Sequence, residues 1–256
     1  MNPMMALYCF NTCPLLKEDN RVSPMELLPN EVHIWSAKLN QIPYREALRA
    51  LLSEDELKRA DQFKFEELRR NFIATKGILR QLIERYTDMP AGEIQFEYGV
   101  KGKPELTNHA LQFNVSHSHE LAVYAFTLQQ AVGIDVEYTE REVELLSLAK
   151  RFFADAEYQQ LKRLPEEKQH LAFFHAWTRK EAFIKAVGEG LSYPLKKFVV
   201  SVLPEKAELI SIEGKSSLAD KWILQRLDFR ENYVGALVVE GKINWSKQYE
   251  YVGDDW

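Results

Sequence analysis

Two carboxylates, Asp135 and Glu137, stand two residues apart in the run Gly133-Ile134-Asp135-Val136-Glu137. Side chains alternate across a strand, so on one both would point to the same face. Like charges placed that way repel unless water or a cation separates them, and oxygen-only donors suit Mg²⁺. Taken alone, a polar, solvated strand end accounts for the pair better. Further along, Trp177, Glu181 and Lys185 are spaced by four in Trp177-Thr178-Arg179-Lys180-Glu181-Ala182-Phe183-Ile184-Lys185. On a helix they form one stripe. That stripe could offer Glu181 to a metal or a nucleophile and Lys185 to a phosphate. It could as well be a surface ion pair beside a core tryptophan, and helical spacing does not separate the two.

A third segment, Phe113-Asn114-Val115-Ser116-His117-Ser118-His119, places donors at the end of a strand. Ser116 and His117 could hold a phosphate there. A serine-hydrolase reading fails because adjacent strand residues face opposite ways and no G-x-S-x-G elbow is present.

The elements that must carry these residues are readable in outline. Glu31 to Leu39 is rich in β-branched and aromatic residues and predicts a strand. Ser53-Glu54-Asp55-Glu56 fits a capping box. A long helix follows, with Leu68, Phe72, Leu79, Leu82, Ile83 and Tyr86 as its apolar stripe. Ile94 to Tyr98 reads as a short strand, with Gly99, Gly102 and Pro104 turning the chain beyond it. Phe113 to Ser116, Leu121 to Leu128 and Val132 to Tyr138 read as strands, and their short connections predict antiparallel pairing. Helices are expected over Glu142 to Phe153, Ala156 to Leu164 and Glu166 to Val187, the last capped by Gly188. Strands and turns then alternate: Phe198 to Leu203, Glu208 to Ile212, Trp222 to Phe229 and Tyr233 to Val239. This order predicts an α+β protein of two similar lobes, residues 1–131 and residues 132–256, the second carrying the carboxylates.

Composition narrows the function classes. The chain has 256 residues, 46% of them hydrophobic, and a formal net charge of −5. An acidic balance argues against general nucleic-acid binding. No apolar run approaches the roughly 20 residues of a membrane span. The N-terminus carries no basic leader, so no signal peptide is expected. Cys9 and Cys13 read as free thiols of a reducing cytoplasm. Charge is uneven, however. Lys58, Arg59, Lys64, Arg69, Arg70, Lys76, Arg80 and Arg85 face only Asp61, Glu66, Glu67 and Glu84 in that stretch. A solvated helix face laced with ion pairs explains this, and so does a surface for a polyanion.

Taken in order, the motifs are Phe113-Asn-x-Ser-His-Ser, Gly133-Ile-Asp135-x-Glu137, Phe153-Ala-x-x-Glu157 and Trp177-x-x-Lys180-Glu181-Ala-x-x-Lys185-x-x-Gly188. This series resembles the full signature of the 4′-phosphopantetheinyl transferase superfamily, from about Glu31 to Val239. Length, Lys103-Pro104 and Ser116-His117 resemble its Sfp type, in which two α+β lobes of one chain enclose coenzyme A.

The resemblance implies an enzyme that moves phosphopantetheine from coenzyme A to a serine of an apo carrier protein. Asp135, Glu137 and Glu181 would hold Mg²⁺, which Mn²⁺ could replace. Glu181 would accept the serine proton, directly or through water, and Lys185 would stabilise the leaving phosphate. Lys103, Ser116, His117 and Arg59 would contact coenzyme A phosphates, while Trp177 and Lys180 would support the helix. An acidic carrier, a cytoplasmic location and a monomer are expected, with no membrane or nucleic-acid partner. The rival readings are a non-catalytic binding module for coenzyme A or carrier, and an Mg²⁺-dependent nucleotide pyrophosphate hydrolase.

Overall fold

The computed structural model describes residues 25–42 and 45–253; Cys9 and Cys13 lie outside them. The first half runs β1 (Glu31–Lys38), α1 (Arg45–Ala50), α2 (Glu54–Asp61) and α3 (Glu66–Tyr86). It continues through β2 (Phe96–Tyr98), β3 (Pro104–Leu106), β4 (Leu111–Ser118) and β5 (Leu121–Leu128). The second half opens with β6 (Val132–Tyr138), α4 (Leu145–Phe152), α5 (Asp155–Arg163) and α6 (Glu166–Val187). It closes with β7 (Phe198–Val200), β8 (Leu209–Ile212), α7 (Ser216–Ala219), β9 (Trp222–Leu227), β10 (Tyr233–Glu240) and β11 (Trp245–Tyr251).

The two larger sheets have the orders β11-β1-β5-β4 and β6-β10-β9, and β2 pairs with β3 and β7 with β8 in two-stranded sheets. Three apolar cores bind four layers together. Alternation along β5 sends Ala122, Tyr124 and Phe126 toward α3, where Ile78, Leu79, Leu82 and Ile83 wait. Its other residues, Leu121, Val123 and Ala125, meet Val132, Ile134 and Val136 of β6 and Leu237 and Val239 of β10. Beyond the second sheet, Val234, Ala236 and Val238 of β10 pack with Phe173, Ala182 and Phe183 of α6. Helix, sheet, sheet and helix are thus stacked around apolar cores, but the β6 face toward α6 carries Asp135 and Glu137.

Local signals behave as their chemistry requires. Ser53 Oγ accepts the Glu56 N–H at 3.3 Å and Glu56 Oε2 accepts the Ser53 N–H at 3.1 Å, a complete capping box. Gly188 ends α6 in the left-handed conformation, φ 80°, which a side chain would oppose.

Several expectations need correcting. The strands β4 and β5 pair antiparallel, but β6 pairs with β10, not β5. The last strand, β11, lies parallel to β1 in the first sheet, although it follows residue 132. The helix expected from Glu142 begins at Leu145, because residues 139–144 form the loop beside the site. The strands expected over Phe198 to Leu203 and Trp222 to Phe229 stop at Val200 and Leu227. Leu68, counted in the apolar stripe of α3, is exposed. Among the described residues no helix is long and apolar enough to cross a membrane.

Candidate active site

Gly133 fixes where the second sheet meets its helix. A Cβ at that position would lie 2.0 Å from the Ala182 carbonyl oxygen and 2.4 Å from the Ala186 nitrogen. Only glycine lets β6 lie directly on the backbone of α6, with two alanines opposite. Val132, Ile134 and Val136 enter the core between the sheets. The alternate residues, Gly133, Asp135 and Glu137, therefore face α6. Along α6, every residue from Ala172 to Ala186 is buried except Trp177, Glu181 and Lys185. Helical spacing of four gathers those three into one stripe, and the stripe faces the carboxylates of β6.

The contacts across that seam are short. Lys185 Nζ donates to Asp135 Oδ1 at 2.6 Å and to Ser116 Oγ at 2.9 Å. Ser116 Oγ in turn donates to Asp135 Oδ1 at 2.8 Å. Ser118 Oγ donates to Glu137 Oε2 at 2.8 Å, while Arg141 Nη2 meets Glu137 Oε1 at 2.9 Å. Asp135 Oδ2 is buried and has no hydrogen-bond partner among the described residues. Burial first, and then the charge on Asp135, pushes the Glu181 carboxyl up to about 7. The same two causes, in the same order, raise Glu137. Three carboxyl groups thus crowd one seam with a single lysine between them.

An orphaned buried carboxylate oxygen beside two carboxyls that resist ionisation is the setting a small hard cation relieves. Among the described residues no three metal-ligating side chains are already gathered around one point. Mg²⁺ needs no such cage, because it keeps waters and takes phosphate oxygens beside one or two carboxylates. The donor chemistry of Asp135, Glu137 and Glu181 fits that ion.

The predicted phosphate contacts fall in different places. Ser116 is buried and fully engaged with Asp135, Lys185 and the Val136 N–H. His117, next to it, points the other way, toward α3. Desolvation lowers its pKa, and the charges of Lys185 and Lys76 lower it further. Lys103 Nζ reaches across to the Val132 carbonyl at 3.1 Å and the Ala186 carbonyl at 3.5 Å, and burial lowers its pKa. Arg59 is exposed, with its guanidinium over the Phe72 ring. Asp135 is only 5% exposed, a buried carboxylate and not one standing open in a cleft.

Much of the basic run is consumed locally. Arg80 is buried and bonds Glu56 at 2.8 Å and the Ala91 and Ile94 carbonyls. Arg69 and Arg70 pair with Glu66, and Lys58 with Asp55. Lys76 differs. It is half-buried, desolvation lowers its pKa, and Arg59 and Arg80 lower it further, so a phosphate there would be welcome. Lys180 is buried against Glu157 at 2.9 Å and donates to the Leu195 and Phe198 carbonyls, which makes it structural.

A cavity of about 630 Å³ opens beside the carboxylates. Phe152, Trp177, Tyr193 and Leu195 give it an apolar wall, and Arg151 and Lys196 stand at its edge. Reading the sequence assigned Trp177 to support alone and passed over the other five. A second hollow of about 680 Å³ is lined by Glu140, Glu142, Glu144 and His170, an acidic rim that repels phosphates. Asn114, Ser118 and Arg141 were also missed as site residues. The alternation Asn114-x-Ser116-x-Ser118 was the available signal.

Residues 131–238 match the family described as the 4′-phosphopantetheinyl transferase superfamily. Residues 34–129 match the family described as 4′-phosphopantetheinyl transferase, N-terminal. The chain is 38% identical to the 4′-phosphopantetheinyl transferase HetI of Nostoc sp., over 88% of this chain and 94% of that one. It is 34% identical to the 4′-phosphopantetheinyl transferase Sfp of Bacillus subtilis, over 60% and 68%. It is 29% identical to the L-aminoadipate-semialdehyde dehydrogenase-phosphopantetheinyl transferase of Homo sapiens, over 67% and 59%.

Proposed function

The chain belongs to the 4′-phosphopantetheinyl transferase superfamily and transfers phosphopantetheine to carrier proteins, and from that premise we propose how its own residues do so. Coenzyme A donates the group, lying in the cleft between the lobes beside the carboxylates of β6 and α6. Asp135, Glu137 and Glu181 hold Mg²⁺. When bound, the ion supplies neutralisation of the charge that builds on the pyrophosphate.

The carrier serine oxygen forms a bond to the β-phosphorus, and the bond from that phosphorus to the bridging oxygen breaks. Adenosine 3′,5′-bisphosphate leaves. Glu181, which lies opposite the β6 carboxylates, accepts the serine proton, directly or through water. Lys185, whose ammonium already lies among the site's oxygens, neutralises the departing phosphate. Lys103, His117, Lys76 and Arg59 bind the remaining phosphates of coenzyme A. The cavity with its aromatic wall and basic edge is where the acidic carrier presents its serine. The chain works as a monomer in the cytoplasm, its lobes divided at the β5–β6 turn.

The observation that most supports this reading is the half-buried stripe of α6 between Ala172 and Ala186, where all the other residues are buried. Packing on Phe152 and Phe173 accounts for Trp177, but no apolar packing accounts for Glu181 and Lys185 opposite two more carboxylates. The test is to incubate the protein with coenzyme A, Mg²⁺ and an apo carrier and to weigh the carrier. A gain of one phosphopantetheine that Glu181→Gln abolishes supports the reading. Cleaved coenzyme A without carrier gain would point to a hydrolase, and neither product to a binding module.

A further inference from the structure

β6 is an edge strand of the second sheet, and side chains close its free edge. Asn114 Oδ1 accepts the Ile134 N–H at 2.9 Å, Ser116 Oγ the Val136 N–H at 3.4 Å, and Ser118 Oγ the Tyr138 N–H at 3.0 Å. The matching carbonyls of Val132 and Ile134 accept from Lys103 and Lys185, at 3.1 and 3.3 Å. Three alternate residues of β4 thus serve three alternate residues of β6, in the manner of a neighbouring strand. An unpaired edge N–H within a core would be costly.

Side chains do something here that a strand could not. A hydroxyl that accepts from the backbone still has its own proton to give. Ser116 gives it to Asp135 and Ser118 to Glu137 Oε2, at 2.8 Å each. Among the described residues, the other oxygen of Glu137 is held by Arg141, whose side chain is 47% exposed and rests over Phe174. One side of Glu137 is therefore anchored to the strand and the other to a partner that solvent can reach.

From this geometry we infer that Ser118 is a positioning residue for transfer. Its hydroxyl joins the Tyr138 N–H to Glu137 Oε2 and sets the direction in which that carboxylate is offered. Arg141 is the displaceable partner, and Ser118 is the fixed one. The inference rests on the role proposed above for Glu137.

The test uses the full chain as Ser118→Ala and Ser118→Thr, the second keeping the hydroxyl. In Ser118→Ala, kcat falls by about tenfold to a hundredfold, as for a group displaced by about 1 Å. At saturating Mg²⁺, KM for coenzyme A stays within about twofold, because the site is filled and the change falls on the geometry of the chemical step. Hydrogen exchange at the Tyr138 amide quickens by about tenfold or more, because its acceptor is gone. Ser118→Thr restores both the rate and the protection. An unchanged kcat in Ser118→Ala overturns the inference. So does a lost rate that Ser118→Thr leaves lost, or a loss of kcat that follows a matching drop in melting temperature. Should Glu137→Gln transfer normally while the Tyr138 amide still depends on Ser118, the reading of Glu137 fails and the inference falls with it. The amide result keeps that outcome distinct from a mistaken strand contact.

Discussion

Replacing Gly133 by alanine is the most informative single perturbation of the packing that builds the site. The new Cβ would begin 2.0 Å from the Ala182 carbonyl oxygen, 2.4 Å from the Ala186 nitrogen and 3.0 Å from its Cα. Ordinary contact is about 3.5 Å, so strand and helix must part by roughly 1.5 Å. None of the obstructing atoms can turn aside, because all belong to the backbone of α6. Overpacking of this kind costs about 1–3 kcal/mol. The functional cost is of similar size. Separating β6 from α6 stretches the 2.6 Å contact of Lys185 with Asp135 and draws Glu181 away from both β6 carboxylates. A displacement of about 1 Å at reacting groups costs on the order of a hundredfold in rate. Urea denaturation gives the first quantity, and a time course of carrier mass gives the second. Gly92→Ala is the control, since a Cβ there meets nothing within 4 Å. A Gly133→Ala protein with wild-type stability and turnover would refute the claim that this contact sets the geometry.

Two further outcomes follow from buried charges. Lys180→Met should destabilise the fold by about 3–5 kcal/mol by stranding Glu157, and adding Glu157→Gln should recover part of it. Equal midpoints for wild type and Lys180→Met in denaturant would contradict this. His33 lies buried among Glu31 beside it on β1, Tyr86 of α3, and Lys247 and Tyr249 of β11. Desolvation is the main cause that pushes its pKa down to about 4 from an ordinary 6.5. The unfolded chain takes the proton first, so stability is whole above pH 6.5 and falls by roughly 3 kcal/mol as pH drops toward 4. A His33→Gln protein with the same acid slope as wild type, measured by urea midpoints, would count against that assignment.

The site was legible where its signals are local. Alternation placed Asp135 and Glu137 on one face, a spacing of four placed Glu181 and Lys185 on one stripe, and Gly188 ended the helix as expected. What stayed hidden depends on pairing between distant segments. Short connections suggested that β6 would pair with β5, but the apolar residues of β6 suit the core between two sheets and its pairing partner is β10. The same gap concealed the reason for Asn114-x-Ser116-x-Ser118, whose oxygens make sense only against the edge of β6. Arg80 reads as a surface cation because nothing local announces Glu56, which comes from another helix to bury it. Likewise β11 is unremarkable in sequence, and only the exposed edge of β1 gives it a place.

The central claim is that Asp135, Glu137 and Glu181 form one cation site facing coenzyme A. Titration of the protein with Mn²⁺, followed by loss of the free-ion paramagnetic resonance signal, tests it without any turnover. The account predicts one bound ion per chain, tighter when coenzyme A is present, and lost in Glu181→Gln. Equal Mn²⁺ binding by wild type and Glu181→Gln, with or without coenzyme A, would contradict it.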